Sequence, residues 1–267
     1  MSLSEINLTF KRCKKEKRPA LLSYIVAGDP NKRKSLKILK SISENVDICE
    51  IGYPHSTPIG DGGKIQTSSY RSIKNGFKMS DAFQIVKNYK KIKKSKPVIL
   101  MGYYNMIFQY GENNFIEKCK HVGVNGLIVV DLPWPENKKF AKKCKKKSIN
   151  FVQLLSPTTS KVRMRKIIKD SHEMCYYISM LSTTGSKLKI SPKKILENYN
   201  KIKKINKKKN IVIGFGITDK TISSFKSADG LVVGSQLCKS ITDSIKKRKN
   251  ILLNLNKIVS RLKEKTT

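Results

Sequence analysis

The sequence predicts an α/β fold, namely a (β/α)8 TIM barrel with an extra N-terminal helix. Eight short apolar runs recur along the 267 residues, and Lys-rich segments with apolar residues at helical spacing separate them. Apolar runs that do not alternate with polar residues are typical of parallel strands buried on both faces. Glycine and proline are spread along the chain without forming a linker. Eight consecutive strand–helix units therefore favour one barrel domain over residues 1–267, which is a common size for such barrels.

The predicted elements follow from the positions of the apolar residues. The eight predicted strands are residues 21–26, 46–51, 97–101, 126–130, 149–155, 174–180, 210–214 and 230–233. Helical spacing occurs at residues 34–42, 81–92 and 113–122, and a helical C-terminus extends from about 236 to 263. The N-terminal helix is predicted to begin at a capping box, Ser2-Leu3-Ser4-Glu5. An open doubly wound sheet is the alternative, but Gly28-Asp29-Pro30 follows the first strand instead of G-x-G-x-x-G.

The chain is strongly basic, with 56 Lys plus Arg against 19 Asp plus Glu and a formal net charge of +37. Only 8 of the basic residues are Arg and 48 are Lys, while Ile and Asn are also abundant. All three abundant residues have A- and T-rich codons, so base composition explains the bias without a binding function. Nucleic-acid recognition usually relies on Arg for bidentate contacts. We therefore predict that the Lys runs at 138–147 and 201–209 are solvated helix faces, and that nucleic acid is not a partner.

The cysteines and histidines do not form a metal-binding pattern. The six cysteines include no CxxC pair, and the three histidines are scattered, so no metal site is expected. No apolar run approaches the ~18 residues of a membrane span, and residues 1–17 lack the apolar region of a signal peptide. We therefore expect reduced thiols, no membrane contact and a cytoplasmic location.

Two carboxylates are the candidate catalytic groups. Glu50 lies inside an apolar strand, where burial would raise its pKa and suit it to proton transfer near neutral pH. A buried Glu satisfied by a neighbouring Lys or amide is the alternative interpretation. Asp61 lies in the polar, Pro- and Gly-rich segment 53–63 that follows this strand. A lone Asp there is most often a turn former, but beside Glu50 it is a candidate second acid or base.

Glycines near the ends of three strands indicate a phosphate site. Gly214-Phe215-Gly216 ends the seventh strand, and Gly234-Ser235 links the eighth strand to a helix. In many barrels this is where backbone amides and a helix N-terminus hold a phosphate. Two ordinary strand-to-helix turns are the alternative. The loop after the sixth strand, residues 180–186, is rich in small residues and could act as a lid, with Gly185 supplying a further amide.

These residues, in this order, resemble the tryptophan synthase α subunits over nearly the whole chain. The stretch from Glu50 to Gly62 is the most specific part, because it holds both carboxylates. The other matching segments are Tyr24-Ile25-Val26-Ala27-Gly28-Asp29-Pro30, Met101-Gly102-Tyr103-Tyr104-Asn105, Asp131-Leu132-Pro133, residues 176–185, Gly214-Phe215-Gly216-Ile217 and Val233-Gly234-Ser235.

The resemblance implies retro-aldol cleavage of indole-3-glycerol phosphate to indole and glyceraldehyde 3-phosphate, without a cofactor or a metal. It implies that Glu50 is the acid and base, and that Asp61 stabilises positive charge at the indole N–H. The positions that match substrate-binding residues are Tyr24, Met101, Tyr176 and the lid residue Thr184. Those that match the phosphate site are Gly185, Phe215, Gly216, Gly234 and Ser235. The implied partner is a β subunit in an α2β2 heterotetramer.

Two other functions remain to be weighed. A catalytically weak subunit, kept mainly to activate and cap a β partner, would need neither carboxylate, so the presence of Glu50 and Asp61 favours the active lyase. The family usually has an acidic residue at the position of Thr57, in the loop that faces the β subunit. A nucleic-acid-binding protein is suggested only by the net charge, and the lysines are spread over many predicted helices instead of one stripe.

Overall fold

A computed structural model describes residues 4–179, 190–214 and 216–267, and within them nine strands form one parallel sheet. The sheet order is β5-β4-β3-β2-β1-β9-β8-β7-β6. The strand bounds are Ala20–Val26 (β1), Ile48–Gly52 (β2), Val98–Gly102 (β3), Gly126–Val129 (β4), Asn150–Phe151 (β5), Gln153–Leu155 (β6), Met174–Ile178 (β7), Asn210–Gly214 (β8) and Gly230–Val233 (β9).

The two edge strands of this sheet are halves of one strand, and this closes the barrel. β5 pairs with β4, β6 pairs with β7, and Val152 is the residue between them. The Val152 N–H donates to the Leu127 carbonyl at 2.9 Å, so the chain passes directly from one neighbour to the other. The predicted fifth strand, residues 149–155, therefore occupies both edges. The predicted (β/α)8 barrel is confirmed, and the open doubly wound sheet is excluded.

Helices connect the strands and surround them. Their bounds are Glu5–Lys15 (α1), Lys32–Ser43 (α2), Gly63–Lys74 (α3), Met79–Lys90 (α4), Tyr104–Tyr110 (α5), Glu112–Val122 (α6), Lys138–Lys146 (α7), Lys161–Asp170 (α8), Pro192–Ile205 (α9), Ser235–Lys246 (α10) and Ile251–Thr266 (α11), with a 3-10 turn at Ile222–Phe225. No helix in these ranges is long and apolar enough to cross a membrane.

One detail of the helix predictions is wrong, and another is refined by the structure. The cap of α1 is Ser4, whose hydroxyl accepts from the Asn7 N–H at 3.2 Å, so Glu5 is the first helical residue and not the third, as the predicted capping box requires. The C-terminal helical region is two helices, because α10 ends at Lys246 and α11 begins after the new cap Asn250. The Asn250 side chain accepts from the Leu253 N–H at 3.1 Å, which is a local signal for a second start.

Alternate residues of each strand point to opposite sides of the barrel wall. In β1, Leu22 and Tyr24 pack inside the barrel, whereas Leu21 and Ile25 pack against the surrounding helices. Helix α1 packs its apolar residues, including Phe10, against the inner group. Because the N-terminal end is covered in this way, access to the interior is left at the carboxyl ends of the strands.

Helix α7 shows where the lysines of a basic run lie. Its Phe140, Ala141 and Cys144 are buried, whereas five of its six lysines are exposed and Lys143 is half-buried. Lys143 pairs with Glu112 at 2.7 Å. The prediction that this Lys run is a solvated outer face is confirmed at α7.

Candidate active site

A cleft of about 430 Å³ opens at the carboxyl ends of the strands. Its lining residues are Tyr24, Asp61, Ile65, Met101, Tyr176, Gly216, Ile217, Val232, Gly234 and Ser235. Seven of the residues singled out in the sequence are thus brought together from β1, β3, β7, the first residue of α10 and three connecting segments. Three others, Thr184, Gly185 and Phe215, lie outside the residues that the structure describes.

Glu50 is fully buried next to this cleft and does not line its wall. It lies on β2 between Ile48, which packs inside the barrel, and Gly52, so strand alternation turns its side chain inward. Neither carboxylate oxygen has a hydrogen-bond partner among the described residues. Burial raises the pKa of Glu50 to about 8, which keeps it mostly protonated at neutral pH. Among the residues that the structure describes, no Lys or amide therefore satisfies Glu50.

Two tyrosines connect Glu50 with Asp61. Tyr24 is the register partner of Glu50 across β1 and β2, and Tyr176 lies on the inward face of β7. The pKa of each phenol is raised well above its usual value, first by burial and then by the nearby charges of both carboxylates. Glu50, Asp61 and the two tyrosines are therefore four neighbouring titratable side chains around the base of the cleft.

Two strand-end glycines give these tyrosines their room. A Cβ on Gly52 would lie 2.2 Å from the Tyr24 hydroxyl oxygen, and one on Gly214 would lie 2.0 Å from that of Tyr176. Both distances are impossible for nonbonded atoms, so each ring crosses the neighbouring strand where no side chain intervenes.

Asp61 is held at the cleft by the loop between β2 and α3. The residue is 7% exposed, its N–H donates to the Pro58 carbonyl at 3.0 Å, and its carbonyl accepts from the Gln66 side chain at 2.7 Å. Burial raises the pKa of Asp61 to about 6, and hydrogen bonding with the Tyr103 side chain opposes part of this rise. Asp61 is therefore mostly ionised at neutral pH, in contrast to Glu50.

The opposite end of the cleft is built for an anion. Gly216 has a φ of +69°, a left-handed conformation that favours glycine. Gly234 precedes the first residue of α10, Ser235, and has no side chain to cap the first-turn N–H groups. Uncapped N–H groups and the helix dipole both favour negative charge at this point.

Sequence reasoning missed several residues of this site. Ile65, Ile217 and Val232 line the cleft, and the Tyr103 hydroxyl oxygen accepts from the N–H of Gly60, the residue before Asp61. Val232 follows the inward alternation of β9 and could have been found in that way. Ile65 and Ile217 could not, because they lie outside the strands and their placement depends on the folded loops. The structure places no group of three or more His, Cys, Asp or Glu where it could hold a metal ion, within the ranges it describes.

Known proteins match this chain over almost its whole length. The family model described as "Tryptophan synthase alpha chain" matches residues 10–267. The chain belongs to the tryptophan synthase alpha chain family. The alpha chain of Pelagibacter ubique is 71% identical over 263 residues, which are 98% of this chain and 99% of that one. The alpha chain of Pyrococcus furiosus is 37% identical over 246 residues, covering 88% and 98% of the two chains.

A solved structure of the same family has the same fold. The crystal structure of tryptophan synthase subunit alpha from Legionella pneumophila matches with a TM-score of 0.92 and 28% identity, covering 99% of each chain. The reaction of the family is cleavage of indole-3-glycerol phosphate to indole and glyceraldehyde 3-phosphate. The chain is accordingly a lyase of tryptophan biosynthesis that catalyses this cleavage.

Proposed function

We propose that Glu50 and Asp61 divide the chemistry of this cleavage between them. The observation that carries the proposal is the presence, around one cleft, of two buried carboxyl groups with different pKa values, about 8 for Glu50 and about 6 for Asp61. Near neutral pH one group is therefore a proton donor and the other an anion. Pairs of titratable groups whose environments separate their pKa values are typical of acid–base catalysis.

Glu50 first gives its proton to C3 of the indole ring, which places positive charge on the ring nitrogen. The resulting carboxylate then takes the proton of the hydroxyl on the adjacent side-chain carbon. The bond between C3 and that carbon breaks, its electrons return to the ring, and the carbon becomes the aldehyde of glyceraldehyde 3-phosphate. Glu50 ends the cycle protonated, and no proton is gained or lost overall.

Asp61 and the rest of the cleft hold the substrate for these steps. The Asp61 carboxylate accepts a hydrogen bond from the indole N–H and stabilises the positive charge that develops there. Tyr24, Met101 and Tyr176 contact the indole ring, and Gly216, Gly234 and Ser235 bind the phosphate. Thr184, Gly185 and Phe215 complete the lid and the phosphate site.

The proposal predicts a bell-shaped pH profile of kcat/KM for indole release. Activity requires ionised Asp61 and protonated Glu50, so it should fall below about pH 6 and above about pH 8, following the two pKa values. Indole release from indole-3-glycerol phosphate, followed from pH 5 to 9, measures both limbs. Asp61→Asn should abolish the acid limb and lower the maximum. A flat profile, or an Asp61→Asn variant with the parent's acid limb, would contradict these roles.

An exposed apolar surface beside the cleft suggests where a β subunit binds. Ile59, Tyr70 and Ile73 are 75%, 67% and 38% exposed, and they line one surface cleft. Ile59 belongs to the loop that carries Asp61, and Tyr70 and Ile73 lie on the helix that follows it. Large exposed apolar groups that lie together are typical of protein interfaces. We propose that this loop patch, Ile59, Tyr70 and Ile73, binds the β subunit in an α2β2 complex.

Replacing Tyr70 with Lys should weaken this complex by about 30-fold or more, because central aromatic residues dominate interface energies. The mass of the complex in light scattering and the affinity for the β subunit measure the effect. Val162→Lys is the matched control, since Val162 is 65% exposed on α8 and lies outside the loop patch. Unchanged affinity in Tyr70→Lys, or equal losses in both variants, would place the β subunit elsewhere.

We further propose that residues 1–267 act as a single domain in the cytoplasm, without nucleic acid as a partner. The exposed lysines support the last point, because they occur on several helices and not in one stripe.

A further inference from the structure

We propose that Arg71 is a positioning residue that sets the separation between the Asp61 loop and the phosphate end of the cleft. Arg71 lies in the last turn of α3 and is not among the described residues that line the cleft. It therefore acts on the reaction through the elements that it joins and not by touching the substrate. The inference rests on the roles proposed above for Asp61 and Ser235.

The guanidinium of Arg71 joins three elements of the barrel. Its Nε donates to Oδ1 of Asp29 at 2.6 Å and its Nη2 donates to Oδ2 at 2.9 Å, which is a bidentate pair. Asp29 lies in the loop between β1 and α2, and its side chain is fully buried. Nη2 also donates to the Thr242 hydroxyl of α10 at 3.1 Å. Arg71 thereby ties its own helix, α3, to the loop after β1 and to α10.

The contact with α10 has a defined direction. The Thr242 hydroxyl donates its own proton to the Cys238 carbonyl at 3.1 Å, so its oxygen is left to accept from Arg71. Helices α3 and α10 pack against each other, and the buried residues of α3 include Ser68 and Ser72. Small side chains interlock less than large ones, so such packing alone fixes the two helices weakly. The planar fork of the guanidinium supplies the missing constraint.

The other end of the fork is held by the loop after β1. The Ser72 hydroxyl, on α3, donates to the Ala27 carbonyl at 2.7 Å. A Cβ on Gly28 would lie 2.5 Å from the Ser72 hydroxyl oxygen, so this loop lies directly against α3. Asp29 is the next residue and is therefore a fixed anchor for Arg71.

Both helices that Arg71 joins begin at the cleft. Near the start of α3, Ile65 lines the cleft and the Gln66 side chain donates to the Asp61 carbonyl at 2.7 Å. Helix α10 begins with Ser235, which also lines the cleft. The substrate must reach Asp61 with its indole N–H and Ser235 with its phosphate at the same time. A ligand that spans two subsites binds well only when their separation matches its length.

The test compares a whole ligand with its two halves in the Arg71→Lys variant. Lys keeps a positive charge beside Asp29 but cannot form the fork. The kcat/KM for indole release should fall about tenfold, and the inhibition constant of 3-indolepropanol phosphate, which lacks the side-chain hydroxyls and cannot be cleaved, should rise as much. The inhibition constants of indole alone and of inorganic phosphate alone should stay within about twofold of the parent values, because each occupies one subsite. Equal losses for the whole ligand and its halves, or no loss for any of them, would overturn the inference.

Two further variants keep the test decisive. Thr242→Val removes the contact with α10 and keeps the pair with Asp29, so it should show the same pattern at a smaller size, even if Arg71→Lys does not fold. Parent-like binding of all three ligands in Thr242→Val would overturn the inference.

Arg18→Lys is the matched control. Arg18 also forms a bidentate pair with a buried carboxylate, that of Asp47, at 2.7 and 2.9 Å, but before β1 and β2 at the opposite end of the barrel. This variant should lose stability in urea as Arg71→Lys does, and should bind all three ligands as the parent does. A tenfold weaker binding of the whole ligand in Arg18→Lys as well would mean that general destabilisation causes the loss, and would overturn the inference.

The proposed function can fail separately from this inference. Parent-like activity of Asp61→Asn, or a parent KM in Ser235→Asp, would refute the roles on which the inference rests. Strong losses in both of these variants, together with parent-like binding of the whole ligand in Arg71→Lys, would refute only the role of Arg71.

Discussion

Replacing Glu50 with Gln should lower kcat for indole release by ~10²–10⁴-fold, the usual contribution of a positioned acid or base. Gln has nearly the same shape but cannot give a proton to the indole ring or accept one from the hydroxyl. Substrate affinity should change little, because Gln keeps the shape of the protonated Glu50 side chain and the phosphate end of the cleft is untouched. Steady-state kinetics of indole release and calorimetric binding of the substrate to the Gln variant separate these two effects.

Glu44→Gln is the matched control for this change. Glu44 is exposed at the end of α2, so the same substitution there should leave kcat unaltered. Glu50→Asp is a second comparison, since it keeps a titratable group but withdraws it from the ring by one methylene and should recover part of the lost rate. If Glu50→Gln turned over substrate at the parent rate, Glu50 would be a structural carboxyl.

The same variant should also be more stable than the parent at alkaline pH. Burial raises the pKa of Glu50 to about 8 in the folded state, so the unfolded chain loses this proton at lower pH than the folded chain does. The contribution of Glu50 is therefore most favourable at acid pH, and it is lost as the pH rises from the unfolded pKa towards the folded one. Urea unfolding of the parent and of Glu50→Gln at pH 5 and pH 8 should show a gain for the variant only at pH 8.

Glu50 and Tyr103 illustrate what the sequence could and could not predict. Glu50 was found because a carboxylate inside an apolar run conflicts with the burial of its neighbours, and that conflict is local. Tyr103 follows β3 in a run that contains several aromatic residues, and its hydroxyl oxygen accepts from the N–H of Gly60, which is 43 positions away in the loop that carries Asp61. Contacts of this kind form only when the strands of the barrel come together, so no local sequence pattern predicts them.

The same distinction applies to the fold. The strands were predicted almost at their observed positions, because each is a continuous apolar run that must be buried. Helix α3 was missed, because its segment begins with Gly63 directly after the Gly-rich loop and carries few apolar residues. Its buried residues include Ser68, Ser69 and Ser72. These small side chains let the helix pack closely, but they are polar, so no hydrophobic pattern reveals them.

Replacing Ser235 with Asp should lower kcat/KM on the order of 10²-fold by weakening the binding of the phosphate. Ser235 is the first residue of α10, where the helix N-terminus favours an anion, and it lines the cleft with Gly216 and Gly234. Two like charges about 4 Å apart repel each other by roughly 4 kcal/mol at a protein surface, and the substrate phosphate is a dianion. The loss should appear mainly in KM, because the reacting carbons are bound at the other end of the cleft.

Inorganic phosphate and sulfate provide an independent measurement at the same position. Each anion should inhibit the parent competitively with the substrate, and this inhibition should weaken in Ser235→Asp. Ser240→Asp is the matched control, because Ser240 lies further along α10 and does not line the cleft. Ser240→Asp changes the net charge of the protein by the same amount as Ser235→Asp does. A similar loss of substrate affinity in Ser240→Asp would therefore mean that the loss comes from the net charge and not from a phosphate site at Ser235. A Ser235→Asp variant with parent KM would mean that the phosphate binds elsewhere. A rise in KM that occurs only in Ser235→Asp would place the substrate phosphate at the N-terminus of α10, opposite the carboxylates that act on the indole ring.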